Sequence, residues 1–257
     1  RNLIINGAMQ VAQRGTSFTT QANSAYSLDR WVNEHDAGTF DLDYLQDAGP
    51  KEHGFAYSQK VTVQTTASLT SGGYIIPYQT RLERSVTDRL QWGTSDAQPF
   101  TLSFWIKSNR TGTYTVNLNM AVPTGGSDDA TARQYTVNSA NTWEYKTLTF
   151  PANTTTYSGS AYNARSLTLF WWMIAGSAYT SGTIPTGWEN ETAANRAVGC
   201  SNSTTVGDYW QITGVQLEVG DTATPFEHRS YGDELARCQR YYFLLASGTD
   251  QTIPTGS

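Results

Sequence analysis

YWQITGVQLEVGDTATPFEHRSYGDELARCQRYY, residues Tyr209–Tyr242, reads as a strand, a turn, an extended linker and a short helix. Val215, Leu217 and Val219 alternate with Gln216 and Glu218, so a strand here has one apolar and one polar face. Gly220-Asp221 ends it. Thr224-Pro225-Phe226 is extended, because a residue before proline is pushed out of the helical region. Ser230-Tyr231-Gly232-Asp233 has the form of a capping box, and a helix is expected over Asp233–Tyr242. Asp233 and Glu234 in its first turn and Arg237 and Arg240 later suit the helix dipole. Leu235, Cys238, Tyr241 and Tyr242 fall on one stripe of that helix.

Working outward, Phe100–Ser108 is the clearest strand. Phe100, Leu102, Phe104 and Ile106 line one face, and Thr101, Ser103, Trp105 and Lys107 the other. Further strands are expected at Asn2–Gly7, Arg30–Glu34, Thr39–Leu45, Tyr57–Gln64, Thr113–Met120, Arg133–Val137, Thr142–Phe150 and Leu167–Ile174. Tyr74–Trp92 reads as a strand whose early part Pro77 demotes, followed by a helical turn capped by Ser85. Turn signals separate these runs, and no helix–strand alternation appears. The pattern predicts an all-β sandwich.

Composition agrees. The chain has 257 residues, enough for one large β domain, with 8 Trp, 15 Tyr and 9 Phe but only 15% charged residues. A disordered chain would lack the aromatics. The net charge is −5 with no basic cluster, which argues against nucleic-acid binding. There is no long apolar run or signal-peptide pattern, so no membrane insertion is expected. Cys200 and Cys238 are read as free thiols.

Several segments together resemble a known family. Asn2-Leu3-Ile4-Ile5-Asn6-Gly7, Phe100–Ser108, Thr142–Phe150 and Val215-Gln216-Leu217-Glu218 are similar to jelly-roll, galactose-binding-like carbohydrate-binding modules. Ala12–Thr16, Leu28-Asp29-Arg30-Trp31 and the tail TPFEHRSYG-EL--CQRYY resemble bacteriophage virion proteins, tail fibres above all. The resemblance implies a jelly-roll sandwich over residues 1–222 and a linker, short helix and the start of a further segment over 223–257. It implies a non-enzymatic virion protein, made in host cytoplasm and acting extracellularly, with host-surface polysaccharide and other virion proteins as partners. Homo-oligomers, trimers first, are usual for such proteins, so the helix stripe meets either its own sandwich or its copies around a threefold axis. Such modules often hold a structural calcium, which takes about six to eight oxygens, several from carboxylates. Ala8 and Thr213-Gly214 stand where those carboxylates would be, so no cofactor is expected.

No catalytic set stands out. His35, His53 and His228 have no metal-ligand spacing. Asp128-Asp129 and Glu189/Glu191 are loop acids of a kind common on any surface. Asp29 is read as fixing the turn into the strand carrying Trp31. Aromatics are the better clue, because sugar rings stack on exposed aromatic faces while polar groups orient their hydroxyls. In Leu167–Ile174, Leu169, Trp171 and Met173 face one way and Phe170, Trp172 and Ile174 the other, and only one face can point into the core. The candidate ligand-binding residues are Trp188, Glu189, Tyr179, Tyr157, Tyr162, Trp105 and Trp172. The alternative is that the tryptophans pack beneath loops or in a subunit interface. Three other functions fit the same chain: a capsid decoration or head-fibre protein, a carbohydrate-binding module attached to a polysaccharide-degrading enzyme, or a sandwich with no ligand.

Overall fold

A computed structural model describes residues 1–36, 40–65, 68–121, 128–155, 162–200 and 204–245. Its strands are β1 (Ser17–Phe18), β2 (Val32–His35), β3 (Asp41–Ala48), β4 (Tyr57–Thr65), β5 (Tyr74–Glu83), β6 (Phe100–Ser108) and β7 (Gly112–Met120). There follow β8 (Asp129–Val137), β9 (Glu144–Phe150), β10 (Arg165–Trp172), β11 (Ile174–Ala175), β12 (Glu189–Asn190) and β13 (Tyr209–Val219). The α-helices are α1 (Arg84–Thr87), α2 (Ser177–Thr180) and α3 (Tyr231–Gln239).

The strands form two antiparallel sheets of a jelly-roll sandwich. One has six strands in the order β1-β3-β4-β13-β6-β9. The other has seven: β11-β5-β10-β7-β8-β12, with β2 paired to β5. β11 continues the register of β10 along β5, since Trp171 faces Tyr78 and Ile174 faces Ile75. Pairing by alternation buries one face of each strand. Phe100, Leu102, Phe104 and Ile106 are all buried, as are Tyr114, Val116, Leu118, Leu169 and Trp171 opposite them. Trp171 meets Trp31 and Phe104 edge-on, with ring centroids 5.7 and 5.8 Å apart. The Tyr78 hydroxyl donates across the sandwich to the Trp210 carbonyl at 2.6 Å. Asp29 is buried and accepts from the Gln13 backbone N–H at 2.7 Å, which fixes the turn before Trp31.

Three expectations are corrected. Residues 2–7 lie beside β13 but form no strand: Asn6 is left-handed at φ 58°, and the Asn2 side chain replaces ladder bonds by accepting from Leu217 N at 3.1 Å. β5 runs unbroken through Pro77, because its pairing with β2 shifts register there and a bulge needs no N–H from proline. The helical turn after it starts at Arg84 with no side-chain cap, one residue before Ser85.

The tail packs on its own sandwich. Gln216 and Glu218 do not face solvent. Both are buried under residues 224–227. Glu218 accepts from the Thr224 N–H and hydroxyl at 2.9 and 2.6 Å, and Gln216 Oε1 accepts from Glu227 N at 2.8 Å. α3 is capped by Ser230, whose hydroxyl accepts from Asp233 N. It begins and ends earlier than expected, because Tyr241 and Tyr242 leave it to lie against Arg30 and Arg14, each 3.5 Å from ring centroid to guanidinium. Buried Arg229 donates to the carbonyls of Asn2 and Ile4 and pairs with buried Glu234 at 3.3 Å.

Candidate functional site

The outer face of the seven-stranded sheet carries a cleft. Register places Gln79, Phe170 and Asn117 in one cross-strand row, and Arg81, Thr168 and Asn119 in the next. Trp172 and Thr115 make a third row. The chain between β11 and β13 covers that third row: Thr115 Oγ1 and Gln134 Nε2 donate to the Val198 carbonyl at 2.9 and 2.7 Å. Tyr179 of α2 closes over Trp172 with ring centroids 5.1 Å apart and meets Tyr74 at 5.6 Å. The first two rows stay open as a cleft of about 410 Å³, lined also by Glu34, Arg81, Arg165 and Arg196.

The charges here are mostly matched. Arg81 pairs with Glu34 at 3.7 Å, Arg165 with Asp128 at 3.3 Å, and Arg196 with Glu191. Burial lowers the Arg196 guanidinium and raises the Tyr74 phenol from their ordinary values. The amides are not matched. Asn117 Nδ2 is fixed by the Thr131 carbonyl at 3.2 Å, while Asn117 Oδ1 and Asn119 Oδ1 are buried with no hydrogen-bond partner among the described residues. Each such orphan costs roughly 1–3 kcal/mol. The arrangement offers an aromatic floor, partnerless amide oxygens and a rim of guanidinium groups. That combination suits a ligand with both apolar faces and hydrogen-bond donors.

The seven candidate residues scatter. Trp172 and Tyr179 come together in the cleft. Trp188 does not line it: the indole donates to the Pro151 carbonyl at 2.8 Å and packs on Trp92 and Phe100. Glu189 sits in β12 and accepts from Asn195 Nδ2 at 2.6 Å, bracing the covering loop. Tyr162 is exposed on the approach to β10. Trp105 lies on the opposite sheet. Tyr157 falls outside the described residues. The loop acids are engaged too: Asp129 accepts from Asn153 at 3.0 Å, beside the Asp128 and Glu191 ion pairs. Asn117, Asn119, Gln79 and Phe170 were absent from the expected set. The signal for the two asparagines was in Tyr114–Met120, where they occupy the outward positions of a strong strand, a place asparagine usually avoids.

The residues at the expected calcium position do not fit that ion. Ala8, Thr213 and Gly214 supply no carboxylate. Gly214 is left-handed at φ 61°, and a Cβ there would lie 2.6 Å from the Phe55 ring, so an apolar side chain fills the ground beside it. Among the described residues no group of three or more His, Cys, Asp or Glu could hold a metal. Cys200 and Cys238 are both buried.

No family model matches the chain, and no curated protein matches it in sequence. Among solved structures it is similar to the enzymatically active domain of tailspike protein 4 of bacteriophage CBA120, with a TM-score of 0.43 and 15% identity. That alignment covers 85% of this chain and 21% of the tailspike chain. It is similar to the family 11 carbohydrate-binding module of Clostridium thermocellum in complex with a mixed-linked tetrasaccharide, with a TM-score of 0.40 and 12% identity over 83% of this chain and 98% of that one. It is also similar to the CBM22-2 xylan-binding domain of Paenibacillus barcinonensis Xyn10C, with a TM-score of 0.40 and 15% identity over 79% and 98% of the two chains.

Proposed function

We propose that this chain is a non-enzymatic glycan-binding module of a bacteriophage virion, a tail fibre or receptor-binding protein, which holds host-surface polysaccharide in the cleft of the seven-stranded sheet. The observation that carries the cleft assignment is the pair of buried, partnerless oxygens of Asn117 and Asn119 beside the outward ring of Phe170. A sugar supplies what both lack: a C–H face for the ring and hydroxyl donors for the amide oxygens. The virion assignment rests on the tail sequence Thr224–Tyr242. The module acts as a homotrimer, and weak contacts repeated over identical subunits raise avidity. A glycan array probed with the intact chain tests the cleft. Host-surface polysaccharide should be retained, and Phe170→Ala and Tyr179→Ala should each weaken retention while the thermal midpoint stays close to the parent. Retention untouched by both substitutions, or no retention at all, would sink it. Mass measurement in solution tests the trimer, and labelling of intact particles tests the virion site.

A further inference from the structure

A second hollow lies on the opposite sheet. His53 stacks flat on Trp105, with centroids 3.9 Å apart and 15° between planes, and Tyr145 tilts against the same indole at 5.4 Å. Beside them Phe55 packs on Phe226 and His228 at 5.0 and 5.2 Å. Together they bound a hollow of about 550 Å³ whose lining includes no Asp, Glu, Lys or Arg. Tyr145 is 44% exposed at its edge. Core aromatics face the other way on these strands, so this cluster is not part of the sandwich interior.

The hollow is built before any ligand arrives. Its walls come from the turn after Lys51–His53, from β6, from β9 and from the tail. The tail wall is locked by Thr224 on Glu218 and by Glu227 on Gln216. A site held this way loses little freedom on binding.

We propose that this hollow is a second carbohydrate site, which takes an uncharged sugar residue. Tyr145 and the part of Trp105 that His53 leaves uncovered offer ring surface to the C–H side of a pyranose. The imidazoles of His53 and His228 and the hydroxyls of Tyr145 and Ser103 can each donate or accept, as sugar hydroxyls do. An ammonium would be desolvated there with no carboxylate to meet it. The site is independent of the first cleft, from which the whole sandwich separates it.

The test is a titration of the intact chain with maltose, cellobiose and lactose, followed through the indole N–H resonances. At least one disaccharide should shift the Trp105 resonance, and Trp105→Ala should lower its affinity by about tenfold, the factor that roughly 1.4 kcal/mol represents. Phe170→Ala in the first cleft should leave that shift in place, which separates failure here from failure there. Tyr145→Phe, which keeps the ring, should retain most of the binding and guards against a misfolded Trp105 variant. The proposal is overturned if no disaccharide moves the Trp105 resonance. It is equally overturned if Trp105→Ala splits an oligomer into monomers, since the hollow would then be a contact between copies.

Discussion

The outer faces of the two sheets carry the same kind of residue to opposite ends. On β13, Gln216 and Glu218 are outward amide and carboxylate groups, buried and saturated by the tail. On β7, Asn117 and Asn119 are outward amides whose oxygens accept no hydrogen bond from the described residues. Both pairs look alike in sequence. The first is structural because a later segment brings donors to it; the second keeps its acceptors unsatisfied in the lining of a cleft. A buried polar group is informative about function when its hydrogen bonds do not close within the fold.

Removing the tail's main clamp should have the largest effect. Arg229→Ala leaves the buried carboxylate of Glu234 with the Asn6 N–H but no ionic partner, and should cost about 3–5 kcal/mol of stability, read by denaturant unfolding. A loss below about 1 kcal/mol would mean that the tail is not held as described. Next, matched substitutions on the two faces should differ in sign. Gln216→Leu strands the donors and acceptors of residues 224–227 and should destabilise by roughly 1–3 kcal/mol. Asn119→Leu removes an orphaned oxygen, so stability should hold or rise while glycan retention falls. Equal destabilisation by both would erase the contrast between the faces.

The smallest effect is confined to alkaline pH. Burial pushes the Cys238 thiol up to about 12 from an ordinary value of 9.0. Below 9.0 the thiol is protonated in both states. Between 9.0 and about 12 only the unfolded chain ionises, so stability should fall as pH rises through that window. Cys238→Ala should show a shallower fall over the same range in thermal melts. Identical slopes would place the thiol outside the packed interior.

Much of the fold was legible because alternation is local. Phe100–Ile106 announces its own buried face, and Ser230 announces the start of a helix. Trp172 was legible as an outward residue for a similar reason, since a strand with large aromatics on both sides must cover one of them. Trp188 looked equally suited in its Pro-Thr-Gly turn. Whether it points to solvent or into a loop anchor depends on Trp92 and Pro151, which are distant in sequence.

By itself, the sequence determined the all-β class and the inward residues of the main strands, because periodicity and composition are properties of the chain. Only the tertiary structure decided which outward polar residues are used. Strand register set Phe170 beside Asn117, and the returning tail met Gln216 and Glu218. Those partners lie tens of residues or more away, and a hydrogen bond between them exists only once the chain has folded back to bring them together.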